Sequence, residues 1–346
     1  PLSSRPPSRS TQRHPKRLMS QTLQLPHPDP AGDPRLLPLL PRLTDADATV
    51  RRLALIDLAD EEDDDLLPWL HWALSDASPH VRTEAAHRLV YREDDASLAA
   101  LIKALSDADE GVQQAAAHTL AELKEAASAQ PLLAALPQAQ GPAQAFLLRA
   151  LRELRAPEAL APALSLARST SAEVRLESVG VLGWLKAPEA LPTLTDLARQ
   201  DADVAVRRAA TGALGLGQGS DVLSALLTAL RDSDWQVREE AASTLGKVKP
   251  RDAVDKLIVA MTDNYWQVRI RAIRSLGRMK AREAVGAIGE ALTHTVSNVR
   301  KESAIALGEI GDAKAIPALE KARLDTDPDV RKLAQLALVT IAGKAA

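Results

Sequence analysis

The sequence predicts an all-α protein, a right-handed α-solenoid of about ten stacked two-helix repeats of roughly 31 residues each. The first observation is a valine, followed by arginine in most units, that recurs about every 31 residues. These register residues are Val50, Val81, Val112, Val174, Val206, Val237, Val268, Val299 and Val330, with Ala143 in the one missing place. The second observation is a leucine eight positions after each register residue, from Leu58 to Leu338. Positions within a unit are numbered below from the register residue, so that this leucine stands at +8.

Each unit contains two helical patterns. A short apolar segment, such as residues 98–102 or 222–227, is expected to form the first helix. The second helix is predicted from the register residue onward, because apolar residues follow at a period near 3.6. Its expected N-caps, residues whose side chains can accept an unpaired backbone N–H, are Asp47, Ser78, Asp109, Asp203, Asp234 and Asp327. Glycines at +9, such as Gly246 and Gly277, are expected near the helix ends, where they and the turns that follow close the unit.

The fourth unit departs from this pattern. Gln138 stands where other turns carry aspartate, and Gln144 where arginine follows the register residue. If the aspartate and the arginine at these two positions normally interact with each other, the fourth unit has lost both members of that pair. Two interpretations stay open: a degenerate unit with local curvature, or a hinge or docking place between residues 125 and 155. A weak interface there would divide the array into two cooperative blocks, residues 34–125 and 155–346.

The chain divides into a segment of residues 1–33 and a solenoid of residues 34–346. Residues 1–33 are rich in Pro, Ser and Arg and are expected to be disordered. Since the first methionine is Met19, we expect residues 1–18 to be an upstream or vector-derived extension. The sequence shows no signal peptide, no transmembrane candidate and no cysteine, which favours a cytoplasmic protein. A formal net charge of −3 gives no argument for nucleic acid or a membrane as partner.

Units of the form Asp-x-Asp-x-x-Val-Arg-x-x-Ala-x-x-x-Leu-Gly, clearest at residues 201–215 and 232–246, resemble HEAT-like repeats. This repeat type is found in phycobilin lyase subunits and in bacterial HEAT-repeat scaffolds. The resemblance covers roughly residues 34–343 and is informative about fold more than function. It implies that turn aspartates and the arginines at +1 form a structural ladder between repeats. The residues concerned are Asp45, Asp76, Asp107, Asp201, Asp232, Asp263 and Asp325, with Arg51, Arg82, Arg175, Arg207, Arg238, Arg269, Arg300 and Arg331.

Most motifs that carry catalytic chemistry are missing from the sequence. It contains no glycine-rich phosphate loop, no HExxH and no G-x-S-x-G. The His-Glu dyads of the iron-binding HEAT-repeat hydroxylases are missing as well. His87 and His118 share position +6 in adjacent units, but two histidines are too few ligands for a metal site. The sequence therefore favours a protein without enzymatic activity, cofactor or metal.

The outward face of the second helices is the expected recognition surface. Helical geometry directs positions −1, +2, +3, +6 and +10 away from the core. Exposed aromatics beside arginines are typical of interaction hot spots. The predicted partner-binding residues are Tyr91, Phe146, Arg149, Trp184, Trp235, Tyr265, Trp266, Arg271, Arg274 and Arg278. We expect the partner to be a protein with acidic and apolar segments.

Three hypotheses about function follow. The first is a non-enzymatic scaffold that binds a protein along its concave face. The second rests on the resemblance to phycobilin lyase subunits and makes the chain a partner or chaperone in tetrapyrrole attachment. Arg149 or Arg274 would then hold propionates, and Phe146 or Trp184 would form an apolar wall. The third is nucleic-acid binding through the basic patch of repeats 7 and 8, disfavoured because glutamates interrupt that patch.

Overall fold

A computed structural model describes residues 25–26, 34–61 and 63–345 of the chain. Within these residues the secondary structure consists of α-helices and one-turn 3-10 segments, without a strand. The twenty α-helices of the described residues form ten consecutive pairs, which confirms the predicted all-α solenoid. The predicted disordered segment, residues 1–33, lies outside the described residues except for residues 25 and 26.

The first helix of each pair carries an odd number and the second an even number. The first helices are α1 (Leu36–Leu43), α3 (Leu67–Ala73), α5 (Asp95–Ala104), α7 (Ala129–Ala135), α9 (Leu160–Leu166), α11 (Leu191–Gln200), α13 (Ser220–Ala229), α15 (Val254–Ala260), α17 (Val285–Ala291) and α19 (Ile316–Ala322). The second helices are α2 (Ala48–Ala59), α4 (Pro79–Arg88), α6 (Glu110–Ala121), α8 (Pro142–Glu153), α10 (Ala172–Leu185), α12 (Val204–Ala213), α14 (Trp235–Val248), α16 (Trp266–Arg278), α18 (Ser297–Ile310) and α20 (Pro328–Ala345). None of the helices in the described part of the chain has both the length and the hydropathy needed to span a membrane.

The second helices begin at the predicted caps. The side chains that accept a backbone N–H of the first helical turn are Asp47, Asp109, Asp203, Asp234 and Asp327. Ser78 is an exception, because its hydroxyl makes no capping hydrogen bond to α4. The predicted helix starts are therefore confirmed, and the predicted role of Ser78 is wrong.

The second helices form the inner layer of the solenoid. They pack against one another along the whole array, whereas most first helices contact their neighbours much less. The more closely spaced layer lies on the inside of a bend, so the second helices line the concave side. We call their solvent-facing surface the inner face. The leucines at +8 are buried between the layers, with the partly buried Leu338 as the exception.

Glycines at +9 allow this close spacing. Gly246 and Gly277 lie near the C-terminal ends of α14 and α16, as expected, two residues and one residue before the last residue of each helix. A Cβ atom added to Gly277 would lie 3.0 Å from Cα of Ala306 in the next second helix. The missing side chain therefore lets successive helix backbones approach each other.

A ladder of ion pairs joins successive turns along one edge of the solenoid. In each rung the arginine at +1 donates two hydrogen bonds to the turn aspartate of the following repeat. The rungs join Arg51 to Asp76, Arg82 to Asp107, Arg175 to Asp201, Arg207 to Asp232, Arg238 to Asp263 and Arg300 to Asp325, with closest N–O distances of 2.7 to 2.8 Å. The predicted structural role between repeats is confirmed for these residues. The predicted pairing with an aspartate of the next repeat is wrong for two others: Arg269 Nη1 lies 2.9 Å from His294 Nε2, which stands where other turns carry aspartate, and Arg331 donates to the Asp325 carbonyl oxygen of its own turn.

Each rung also ties the arginine to its own turn. Arg207 donates from Nη1 to the carbonyl oxygen of Asp201 at 2.9 Å while its other nitrogens bond Asp232. Burial raises the pKa of Asp232, but the hydrogen bond and charge of Arg207 outweigh burial and hold the pKa below its ordinary value. Both carboxylate oxygens of Asp232 and the turn carbonyls are thus satisfied at the repeat boundary.

The ladder is interrupted on both sides of repeat 4. Gln113 occupies the arginine position of α6, and Gln138 occupies the aspartate position that it faces; Gln144 and Ser169 replace the next pair. The interpretation that Gln138 and Gln144 serve each other is wrong, because every rung joins two different repeats. Within the described residues, the Gln113 side chain donates only to its own turn, at the carbonyl oxygen of Asp107. The packing of α6 against α8 is also the least extensive between successive second helices.

We expect faster amide hydrogen exchange across residues 125–155 than at the junction held by Arg207 and Asp232. Stacked repeats contact only their neighbours, so a junction without a rung opens more readily. Hydrogen exchange followed by mass spectrometry measures this difference. The double variant Gln113→Arg/Gln138→Asp, which rebuilds the missing rung, should slow exchange there. Equal protection at the two junctions of the native chain would reject the hinge and favour sequence drift.

Candidate partner-binding surface

The structure distributes the predicted site residues over three places and the core. Trp235, Tyr265 and Trp266 lie at the N-terminal edge of the second helices, where α14 and α16 begin. The arginines Arg149, Arg271 and Arg274 lie on the inner face, at the middle of their helices. Tyr91, Trp184 and Arg278 lie at the C-terminal edge. A 14-residue helix is about 21 Å long, so the two edges are about 20 Å apart.

Phe146 lies in the core, so the prediction that it faces outward is wrong. Its side chain is 3% exposed, and the guanidinium carbon of Arg149 lies 6.0 Å from its ring centroid. Other residues at +3, namely Ala115, Glu177 and Glu302, are buried too. The reason is that each second helix packs against two second helices as well as its own first helix. The buried arc is therefore wider than a two-layer core requires.

An aromatic shelf is formed by Trp235, Tyr265 and Trp266 on adjacent repeats. The rings of Trp235 and Tyr265 are stacked, with centroids 5.3 Å apart and planes within 10°. The guanidinium carbon of Arg238 lies 5.8 Å from the Tyr265 ring centroid. Tyr265 is 45% exposed and Trp266 is 39% exposed, while Trp235 is half-buried under the stack. The shelf thus presents a preassembled apolar surface with a cation at its side.

Tyr265 occupies a position where six of the other second helices carry a capping side chain, although Ser78, Gly141 and Val296 also make no capping bond. Tyr265 is the N-cap residue of α16 and makes no side-chain capping bond, whereas Asp234 caps α14 through the amide of Gln236 at 2.8 Å. Losing such a cap costs about 1 kcal/mol. An exposed aromatic that replaces a stabilising cap breaks a local rule of the repeat, and such exceptions occur mainly at functional sites.

The arginines of the inner face are paired with glutamates. Arg149 binds Glu177 at 2.6 Å, Arg271 binds Glu239 at 3.0 Å, and Arg274 binds Glu302 at 2.5 Å. The hydrogen bond to Glu302 raises the pKa of Arg274 above its ordinary value. These carboxylates neutralise much of the basic patch that the sequence suggested in repeats 7 and 8. The glutamates that bind Arg149 and Arg274 lie 28 residues later in the sequence, in the following repeat, and the glutamate that binds Arg271 lies 32 residues earlier, in the preceding repeat.

The C-terminal edge carries a more open set of groups. Trp184 is 46% exposed, with the guanidinium carbon of Arg155 5.0 Å from its ring centroid, and Tyr91 is 66% exposed. The Arg278 side chain has no hydrogen-bond or ion-pair partner among the described residues. With Phe146 buried, the apolar wall required by the tetrapyrrole hypothesis is reduced to Trp184.

Two histidine arrangements in the structure bear on possible chemistry: the predicted neighbours His87 and His118, and His71 beside Ser97. The rings of His87 and His118 are exposed, with centroids 6.4 Å apart. In the described part of the chain, no group of three or more His, Cys, Asp or Glu side chains is arranged so that it could bind a metal ion. His71 Nε2 lies 2.8 Å from Ser97 Oγ, but the Ser97 side chain is fully buried and cannot meet a substrate.

Comparisons with known structures show the fold. The structure of Kap95p with RanGDP matches with a TM-score of 0.63 and 16% identity, over 89% of this chain and 50% of that one. The complex of Kap95 with Nup1 matches with a TM-score of 0.61 and 15% identity, over 89% and 50%. YibA of E. coli matches with a TM-score of 0.51 and 20% identity, over 86% and 98%. This chain therefore spans about half the length of the Kap95 chains it matches.

The family comparison agrees with the repeat geometry. No protein of curated function matches the sequence. The family model for HEAT repeats matches residues 36–90, 139–215, 196–266 and 254–339. These matches cover most of the helix pairs, including those that carry the aromatic shelf. The chain belongs to the HEAT-repeat family.

Proposed function

We propose that the protein is a non-enzymatic scaffold that binds another protein, with the aromatic shelf as its principal contact. The observation that carries this proposal is Tyr265, an exposed ring at a helix cap that stacks on Trp235 beside the exposed Trp266. Rigid aromatics held in place before binding lose little conformational freedom on binding, which favours affinity. HEAT-repeat structures of similar fold, Kap95p with RanGDP and Kap95 with Nup1, are complexes with protein partners.

The partner would combine apolar and acidic groups. Apolar side chains would cover Tyr265 and Trp266, which are otherwise exposed to water. Acidic groups would meet cations that are not already paired, and Arg278, Lys249 and Lys280 at the C-terminal edge are of this kind. Arg271 and Arg274 contribute less charge, because Glu239 and Glu302 already bind them.

Affinity capture with the variant Tyr265→Ala/Trp266→Ala tests this function. We expect the native chain to retain a protein partner from a lysate and the variant to lose it, since truncated hot-spot residues typically cost 2 kcal/mol or more, about 30-fold in affinity. Trp235 is left intact, because its half-buried ring contributes to packing. The control variant Tyr91→Ala/Trp184→Ala removes exposed aromatics from the opposite edge and should weaken capture less than the shelf variant does, because these rings are not part of the principal contact. Retention of the same proteins by native chain and shelf variant would overturn the proposal, provided both have equal helical circular dichroism.

A further inference from the structure

The inner face contains a second, regular set of ion pairs. The arginine at +6 of one second helix binds the glutamate at +3 of the next, as in Arg149 with Glu177 and Arg274 with Glu302. Both carboxylates are 6% exposed, so the guanidinium groups cover them almost completely. In these two pairs a cation lies above the glutamate at +3, and Glu84 at +3 of α4 is paired instead with Arg88 of its own helix, at 2.8 Å.

Between α12 and α14 the glutamate is present and the arginine is not. Glu240 stands at +3 of α14, but Gly212 stands at +6 of α12. A Cβ atom on Gly212 would lie 3.0 Å from Glu240 Oε1, so the carboxylate lies directly over the bare helix surface. Its contacts are weak: the Thr244 hydroxyl at 3.4 Å and the Lys247 ammonium at 3.9 Å.

A neighbouring glycine shows what such a surface can hold. Gly180 stands at +6 of α10, and Arg152 lies across it, with Nη1 2.8 Å from the position of an added Cβ. The same nitrogen is 3.1 Å from Glu177 Oε2. At Gly180, one repeat before Gly212, a guanidinium therefore lies on a glycine surface beside a glutamate. At Gly212 the chain supplies no guanidinium to the equivalent surface.

The space over Gly212 is a groove of about 670 Å³ with apolar and acidic walls. Leu176, Val204 and Ala209 give it apolar surface, and Asp203 and Glu240 give it two carboxylates against one guanidinium, from Arg208. Gln236 also lines the groove and directly follows Trp235 of the aromatic shelf. A bound segment could therefore pass from the shelf into the groove without leaving the surface.

We propose that this groove binds an arginine or lysine side chain of an extended protein segment, with Glu240 as the acceptor. The partner side chain takes the place that Arg149 and Arg274 fill elsewhere on the inner face. Charge complementarity selects a basic residue, and the apolar wall accepts the methylene stem or a neighbouring apolar side chain. The inference rests on the proposed scaffold function and adds a basic anchor to the partner's apolar and acidic groups.

The test uses the full chain as bait and a random peptide display library as the probe. We expect the selected peptides to share an arginine or lysine, and a selected peptide to bind Gly212→Arg at least tenfold more weakly. Gly286→Arg is the matched control; it adds the same side chain to an exposed glycine of α17, outside the groove, where nothing lies within 4 Å of an added Cβ, and should keep binding within about threefold. Glu240→Gln keeps the shape and removes the charge, so it should also weaken binding at least tenfold.

Each outcome decides the proposal. Selected peptides without a common basic residue, or no selected peptides, overturn it. Equal binding by Gly286→Arg, Gly212→Arg and Glu240→Gln, with unchanged circular dichroism, overturns it as well. The shelf variant Tyr265→Ala/Trp266→Ala separates this failure from failure of the scaffold function, because capture of the partner by the shelf does not depend on the charge of Glu240.

Discussion

Replacing Gly246 with alanine is expected to weaken the packing of repeat 7 on repeat 8 by about 1–3 kcal/mol, the range for overpacked cores. A Cβ at this position would lie 2.2 Å from Ser275 Oγ and 3.0 Å from its Cα, so a rotamer change cannot relieve the clash. The helices α14 and α16 must then move apart. That movement also breaks the buried hydrogen bond from Ser275 Oγ to the Ala242 carbonyl oxygen, now 2.7 Å. Urea unfolding followed by circular dichroism should show a lower midpoint.

Gly286→Ala is the matched control. Gly286 also lies inside a helix, α17, but nothing stands within 4 Å of an added Cβ. The methyl group should therefore raise stability by about 0.5–1 kcal/mol through helix propensity alone. Opposite shifts of the two midpoints support close packing as the reason for glycine at +9. A Gly246→Ala midpoint at or above the native one would contradict it.

The fold could be predicted in detail because contacts in a solenoid join neighbouring repeats. Once Val206 and Leu214 fix the register of one unit, the same positions recur in the next, and the helix pair, the cap Asp203 and the rung to Asp232 follow. The faces of the second helices were predicted less well. The apolar pattern of one second helix does not show that the adjacent second helices cover its position +3. Phe146 and Glu177 stand at this position and are therefore buried.

Part of the candidate partner-binding surface could also be predicted from the sequence. The exposure of Tyr91, Trp184, Tyr265 and Trp266 was predicted and is confirmed, whereas their role in binding stays a prediction. The internal partners of the arginines were missed, because a glutamate 28 residues away carries no local signal. Searching the sequence for opposite charges separated by 28 residues, three fewer than one repeat, would have found the pairs Arg149–Glu177 and Arg274–Glu302.

Replacing Tyr265 with aspartate is expected to abolish partner binding while keeping the stability of the fold within about 1 kcal/mol. The backbone at Tyr265 (φ −98°, ψ 119°) is close to that of the capping Asp234 (φ −88°, ψ 130°), so an aspartate can cap α16 in the same way. The new cap contributes about 1 kcal/mol. The lost stacking on Trp235 costs about 0.5–1.5 kcal/mol. Urea unfolding gives the stability, and affinity capture gives the binding.

The calibrating control is Asp234→Ala, which removes a real cap from α14 and should lower stability by about 1 kcal/mol without affecting the exposed rings. If Tyr265 is present for packing, Tyr265→Asp must lose more stability than this control, because the lost packing of the ring on Trp235 then outweighs the cap that the aspartate adds. If Tyr265 is present for binding, the aspartate variant folds at least as well as the control and still fails to retain the partner. The second outcome would support a binding role for Tyr265, because repeat stability would then not require a tyrosine at a position where aspartate serves the helix as well.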